Sequence, residues 1–246
     1  MVNRMFNVPF KDKIFLITGC TGHLGSTLSK ALAQKGASLI LVGRSVDALE
    51  KLDDEIKTLS LLSEQSITLV PSDLTKTDAF PFLAQQLSHR FKCLDGLIHC
   101  AAALRGLVPL KDWDEKSWRS QFILNVDVPW TLIKALDPLL QKSSAGRVVA
   151  ISDRILEESC AYWGAYATSK AALEKMIEVY AEESKATRIK AHVVRTDDFP
   201  STLKEDIYSE KNRKDLIDTM SVVHAIEDIL GDSPHVSGSI VTVKKS

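Results

Sequence analysis

The chain has 246 residues, 45% hydrophobic and 26% charged, with 31 lysines and arginines against 32 acids and a formal net charge of −1. That balance suits a soluble globular fold and excludes the general basic field that holds nucleic acid or an anionic membrane surface. With no run near the roughly 18 apolar residues of a membrane span, no apolar leader at the start and no CxxC among Cys20, Cys93, Cys100 and Cys160, a cytoplasmic protein with reduced thiols and no metal site is expected.

Short apolar runs alternate with amphipathic stretches. KIFLIT (13–18) reads as a strand, followed by a glycine-rich turn and a helix with Leu24, Leu28, Ala31 and Leu32 at helical spacing, stopped by Gly36. SLILVG (38–43) is a second strand, and the next helix follows with Ser45 as its cap. SITLVP (66–71) is a third strand, and a helix starts near Pro81. LDGLIHCA (94–101) is a fourth strand, with helical stretches around 115–125 and 128–141. GRVVAIS (146–152) is a fifth, followed by a long helix from about Trp163 to Ser184. IKAHVVR (189–195) and SIVTV (239–243) complete seven strands.

Strands alternating with helices predict right-handed crossovers and a mainly parallel sheet covered on both faces, an α/β doubly wound fold in three layers. No linker, repeat or low-complexity tract divides the chain, so one domain over 1–246 is expected. Ligands of such sheets bind beyond the carboxyl ends of the strands, which directs attention to the segments that follow them.

After the first strand, TGCTGHLG (18–25) places Gly19, Gly22 and Gly25 between a strand and a helix. Glycine permits a tight turn and close approach of backbone to a pyrophosphate, and the helix N-terminus supplies free N–H groups. His23 reads more simply as a helix-capping polar residue. After the second strand stands Arg44, where an acid would bind the ribose 2′-hydroxyl of NAD. An arginine there pairs with the 2′-phosphate of NADP, so NADP(H) is favoured over NAD(H); the bland reading is a solvated surface arginine. Asp73 after the third strand can accept from an adenine amino group or cap its own turn. Ala101 and Ala102 after the fourth are small enough for close cofactor approach, or for plain packing.

After the fifth strand, Tyr166 and Lys170 share one helix face, four residues apart. A phenol with a pKa near 10 is a poor base at neutrality, and a neighbouring ammonium stabilises the phenolate. The pair is a chemically sensible acid–base unit.

These motifs together resemble the short-chain dehydrogenase/reductase family, in its shorter single-domain branch and near bacterial oxidoreductases of unassigned substrate. The resemblance runs from FLITGCTGHLG through DGLIHCAA, LNVDVPW and VVAIS to YATSK. It implies a seven-stranded Rossmann sheet and hydride transfer between NAD(P) and a carbonyl or alcohol. It makes Tyr166 the acid–base, Lys170 its tuner and ribose ligand, and Asn125 the holder of a relay water. The implied cofactor-facing set is Gly19, Thr21, Gly22, His23, Leu24 and Gly25 in the loop, Arg44, Asp73 and Leu74, Cys100, Ala101 and Ala102, Thr196, and Tyr166 with Lys170. A homodimer or homotetramer through helices at about 115–141 and 163–184 is implied, as is a charged substrate-covering segment over 196–220.

Four positions depart from the family pattern. The loop reads TGxxGxxG, with His23 where the shorter branch carries glycine. His99-Cys100-Ala101-Ala102 replaces Asn-Asn-Ala-Gly, and Thr196-Asp197 replaces Pro-Gly. The substrate-orienting serine belongs thirteen residues before the tyrosine, and Asp153 stands there, with Ser152 before it. A carboxylate only accepts hydrogen bonds and would oppose Lys170 by raising the tyrosine pKa. Three outcomes are open: Ser152 takes the role, Asp153 turns elsewhere (to Arg154, for example) or binds a hydroxylated or cationic substrate, or the chain is a catalytically impaired cofactor-binding or regulatory protein.

Overall fold

The apolar runs in the middle of the sheet form strands covered on both faces, so alternate residues enter two different cores. The computed structural model describes residues 8–59, 65–158, 160–204, 215–231 and 235–245. The strands are β1 Ile14–Thr18, β2 Ser38–Gly43, β3 Ile67–Pro71, β4 Gly96–His99, β5 Arg147–Asp153, β6 Lys190–Thr196 and β7 Ile240–Val243. They build one sheet in the order β3-β2-β1-β4-β5-β6-β7, every pairing parallel.

The helices are α1 His23–Gln34, α2 Val46–Leu59, α3 Phe80–Arg90, α4 Glu115–Phe122, α5 Val128–Leu140, α6 Gly164–Glu183 and α7 Thr219–Leu230. On one face, Phe15 and Ile17 of β1 join Leu28 and Leu32 of α1, Leu49 and Ile56 of α2, and Val222 and Ile226 of α7. On the other, Leu16 joins Phe80 and Leu87 of α3, Leu132 and Leu136 of α5, and Leu173 and Ile177 of α6. Burying one such aliphatic side chain stabilises by about 1.5–3 kcal/mol, and this double layer is what fixes the register.

The expected strands are found within two residues at either end, and Ser45 does cap α2, accepting from Ala48 N at 3.2 Å. Two features differ. Helix α7 was not anticipated; Asp218 caps it by accepting from Met220 N at 3.0 Å. The helix expected over 115–125 stops at Phe122 and runs through a π-helical turn, Ile123–Asp127, into α5. Such wide turns inside helices recur at functional sites. Among the described residues, no helix is long and apolar enough to cross a membrane.

Consecutive strands run outward from β1 to β3 on one side, and from β4 onward on the other. The order therefore reverses between β1 and β4, and their carboxyl ends open a crevice.

Candidate active site

The crevice floor is built by the glycine turn. Gly19 has φ +64°, and a Cβ there would lie 2.7 Å from Ala101 N. A Cβ on Gly25 would lie 2.2 Å from Gly19 O. Both positions need glycine, one for conformation and space, the other for the close seating of α1 on the turn. Helix α1 begins at His23 with Gly22 as its cap residue and no capping side chain. Its first-turn N–H groups therefore lack both intrahelical and side-chain partners, the arrangement that receives anions. His23 does not cap; its Nε2 lies 3.0 Å from Thr219 Oγ1 and ties α1 to α7.

At the end of β4, His99 Nδ1 pairs with Thr18 Oγ1 at 2.9 Å, joining the two strands that flank the crevice. Burial, helped by the charge of Lys170, pushes the His99 imidazole down to about 3. Burial likewise pushes the Cys100 thiol up to about 12. Both are neutral packing groups near pH 7.

The crevice encloses about 620 Å³. Its walls include Gly19, Thr21, Gly22, His23, Leu24 and Gly25, then Arg44, Asp73 and Leu74, then Cys100, Ala101 and Ala102. Ser152, Asp153, Tyr166, Lys170 and Thr196 also face it. Asn125 is the one candidate that does not. It is fully buried, with its amide donating to Ala103 O at 3.1 Å and to Ser169 Oγ at 2.9 Å, and accepting from Ala103 N at 2.9 Å. The π-helical turn thus pins the loop that follows β4 against α6.

Asp73 caps its own turn, accepting from Thr75 N at 3.1 Å and Thr75 Oγ1 at 2.8 Å. Those bonds, with the charges of Lys76 and Arg44 behind them, hold its carboxyl below the usual range. Thr196-Asp197 forms a corner. Asp197 Oδ1 pairs with Arg154 at 2.5 Å, and Asp197 Oδ2 accepts from Lys245 N at 2.8 Å, fastening β6 to the chain after β7.

The Tyr–Lys pair lies where α6 meets the end of β5. Tyr166 is 3% exposed, and its hydroxyl donates to Asp153 Oδ2 at 2.9 Å. Lys170, on the next turn, donates from Nζ to Ile151 O at 2.8 Å. Burial pulls Lys170 down to about 8, against the upward pull of Asp153. Asp153 does not pair with Arg154, which is turned to Asp197 and Glu157. Its partner is Lys204, whose Nζ stands 2.5 Å from Asp153 Oδ2 and also contacts Asp198. Sequence reasoning missed Lys204, since burial of one lysine in a charged stretch leaves no sequence signal. Ser152 Oγ is buried and finds no hydrogen-bond partner among the described residues. Of the segment expected to cover substrate, residues 205–214 lie outside the described residues, while 196–199 and 201–204 line the crevice.

A parallel sheet in this order, with a glycine turn at its switch point and a Tyr–Lys helix across the crevice, defines a Rossmann-type dinucleotide-binding protein. The chain belongs to the short-chain dehydrogenase family, whose model matches residues 13–212. It is 33% identical over 172 residues to the uncharacterized oxidoreductase YciK of Escherichia coli, covering 70% of this chain and 68% of that one. It is 25% identical over 234 residues to an uncharacterized oxidoreductase of Staphylococcus haemolyticus, covering 94% and 96%. A putative short chain dehydrogenase of Shigella flexneri, solved in complex with NADP, superposes with TM-score 0.88 at 26% identity, covering 96% of this chain and 98% of that one. The family expected from the motifs is thereby borne out, as is the fold.

Proposed function

We propose that the chain is an NADP(H)-preferring oxidoreductase that interconverts a carbonyl and an alcohol. The observation that carries this reading is the convergence of Tyr166 and Lys170 with the glycine turn on one crevice. The residues fit a dinucleotide: Gly19 and Gly25 leave no room for side chains, and the first turn of α1 lacks an internal acceptor. When bound, the nicotinamide supplies or accepts the hydride. The first turn of α1 would hold the pyrophosphate, Arg44 the 2′-phosphate and Lys170 a ribose hydroxyl. Two solved relatives, from Shigella flexneri and Escherichia coli, are complexed with NADP and NADPH, which supports the cofactor choice.

The chain's own part is proton transfer. Tyr166 gives its proton to the nascent alkoxide on reduction and takes it back on oxidation. Lys170, cationic below about 8, favours the phenolate that remains. Ser152 Oγ, unpaired at the crevice wall, is the donor available to orient the substrate oxygen. We further infer a homodimer or homotetramer; Trp130 on α5 and Val179 on α6 are 52% and 48% exposed, which favours those helices as the contact.

A second reading, a cofactor-binding protein with impaired catalysis, is favoured by the carboxylate of Asp153 holding the Tyr166 proton. Titration with NADPH and NADH, then a carbonyl panel, separates them. Tighter NADPH binding with reduction of at least one carbonyl supports the oxidoreductase. Binding without turnover supports the second reading, and no binding of either nucleotide overturns both.

A further inference from the structure

Lys204 is 6% exposed, and an ammonium is expensive to bury unless it is paired. It lies in the segment after β6, between Asp153 at 2.5 Å and Asp198, with its Nζ 5.2 Å from the Trp163 ring centroid and 5.9 Å from that of Tyr166. Two acids and two aromatic faces therefore surround one cation. The oxygen of Asp153 that receives Lys204 is the same Oδ2 that receives the Tyr166 hydroxyl. A single atom thus links the lysine to the phenol.

The charged groups that face Tyr166 come from three parts of the fold. Asp153 comes from β5, Lys170 from α6 itself, and Lys204 with Asp198 from the segment after β6. Arg154 and Asp197 close on each other beside them, and Glu174 acts on Lys170. Asp153, Asp198, Lys170 and Lys204 carry formal charges that cancel. Without Lys204, the carboxylate nearest the phenol would lose the cation in direct contact with it and favour the phenol over the phenolate.

We propose that Lys204 is a positioning residue for proton transfer: by pairing with Asp153, it cancels the charge that this carboxylate sets against the Tyr166 phenolate. The inference rests on the reading of Tyr166 as the proton-exchanging group. It explains how an aspartate is tolerated thirteen residues before the tyrosine: Asp153 and Lys204 enter the site as a nearly neutral pair. Burial acts to lower the Lys204 pKa, but Asp153 and Asp198 outweigh it and hold the ammonium above its ordinary range. Lys204 therefore stands beside Asp153 as an ammonium near neutral pH.

The test reads the tyrosine directly, without turnover. Protein labelled with carbon-13 at the tyrosine Cζ is titrated by NMR without cofactor, and Tyr166→Phe assigns the signal among the four tyrosines. Lys204→Met should raise the Tyr166 midpoint by about one pH unit or more, and Asp153→Asn should lower it by a similar amount. The double variant should return close to wild type, and Lys204→Arg should stay there. A purely structural lysine would give no shift in folded Lys204→Met and no compensation in the double variant. Should Lys204→Met fail to fold, Asp153→Asn and the double variant read the same coupling. Identical midpoints in wild type, Asp153→Asn and the double variant overturn the proposal. NADPH affinity is measured on the same samples: failure of the wild type to bind sinks the proposed function, whereas unmoved midpoints in a protein that binds NADPH sink only the role of Lys204.

Discussion

Gly25→Ala places a methyl group where the structure has no room. Its carbon would lie 2.2 Å from Gly19 O and 2.8 Å from Cys20 Cα, whereas ordinary contact begins at 3.4 Å. All of these neighbours are backbone, so no side chain can swing aside. Helix α1 and the turn must part by about 1 Å, a displacement that forfeits a good share of each contact it stretches. Overpacking of this kind costs about 1–3 kcal/mol of stability. For a chain of this length each kcal/mol lowers Tm by about 2–4 °C. The same displacement moves the α1 N-terminus relative to Gly19, so NADPH affinity should fall by about tenfold or more, the equivalent of ~1.4 kcal/mol. Gly231→Ala is the control, since its nearest neighbour is 3.5 Å away. Thermal unfolding and fluorescence titration with NADPH read both effects. A Gly25→Ala protein with wild-type Tm and wild-type NADPH affinity would refute the idea that α1 is seated on the turn to receive a phosphate.

Arg44→Ser should weaken NADPH by about 10- to 100-fold through loss of a charge-assisted bond and leave NADH unchanged; equal losses for both nucleotides would deny Arg44 a role at the 2′ position. His99, pushed down to about 3 from 6.5, makes stability pH-dependent. The unfolded chain takes the proton first as pH falls, so its contribution is intact above 6.5 and is lost from there down to about 3, at about 1.4 kcal/mol per pH unit. Denaturant unfolding of His99→Gln between pH 4 and 6 should show a shallower slope by that amount (His192, pushed down to about 4, retains its own share), and an unchanged slope would show that His99 titrates normally.

The inner strands were legible because burial on both faces writes a continuous apolar run into them, as in SLILVG, which is β2 to the residue. Helix α7 was equally encoded, with Asp218 before Val222, Val223, Ile226 and Ile229 at helical spacing. Its first residues were absorbed into a stretch read as a charged cover. The glycine turn and the Tyr–Lys pair could be found because each is local, within eight and five residues of chain. The pairing of Asp153 with Lys204 spans 51 positions and depends on where the segment after β6 falls back across α6. No pattern of neighbours in sequence distinguishes that lysine from others. The π-helical turn was invisible for a related reason: what sustains it is the contact of Asn125 with Ala103 and Ser169, each distant in the chain.

The most direct measurement compares wild type with Tyr166→Phe at saturating NADPH, using a carbonyl that the wild type reduces, with NADPH affinity determined in parallel. Loss of the hydroxyl should lower kcat by about 100-fold or more while NADPH binds with nearly unchanged affinity. Undiminished turnover in Tyr166→Phe would contradict the assignment of proton transfer to this residue.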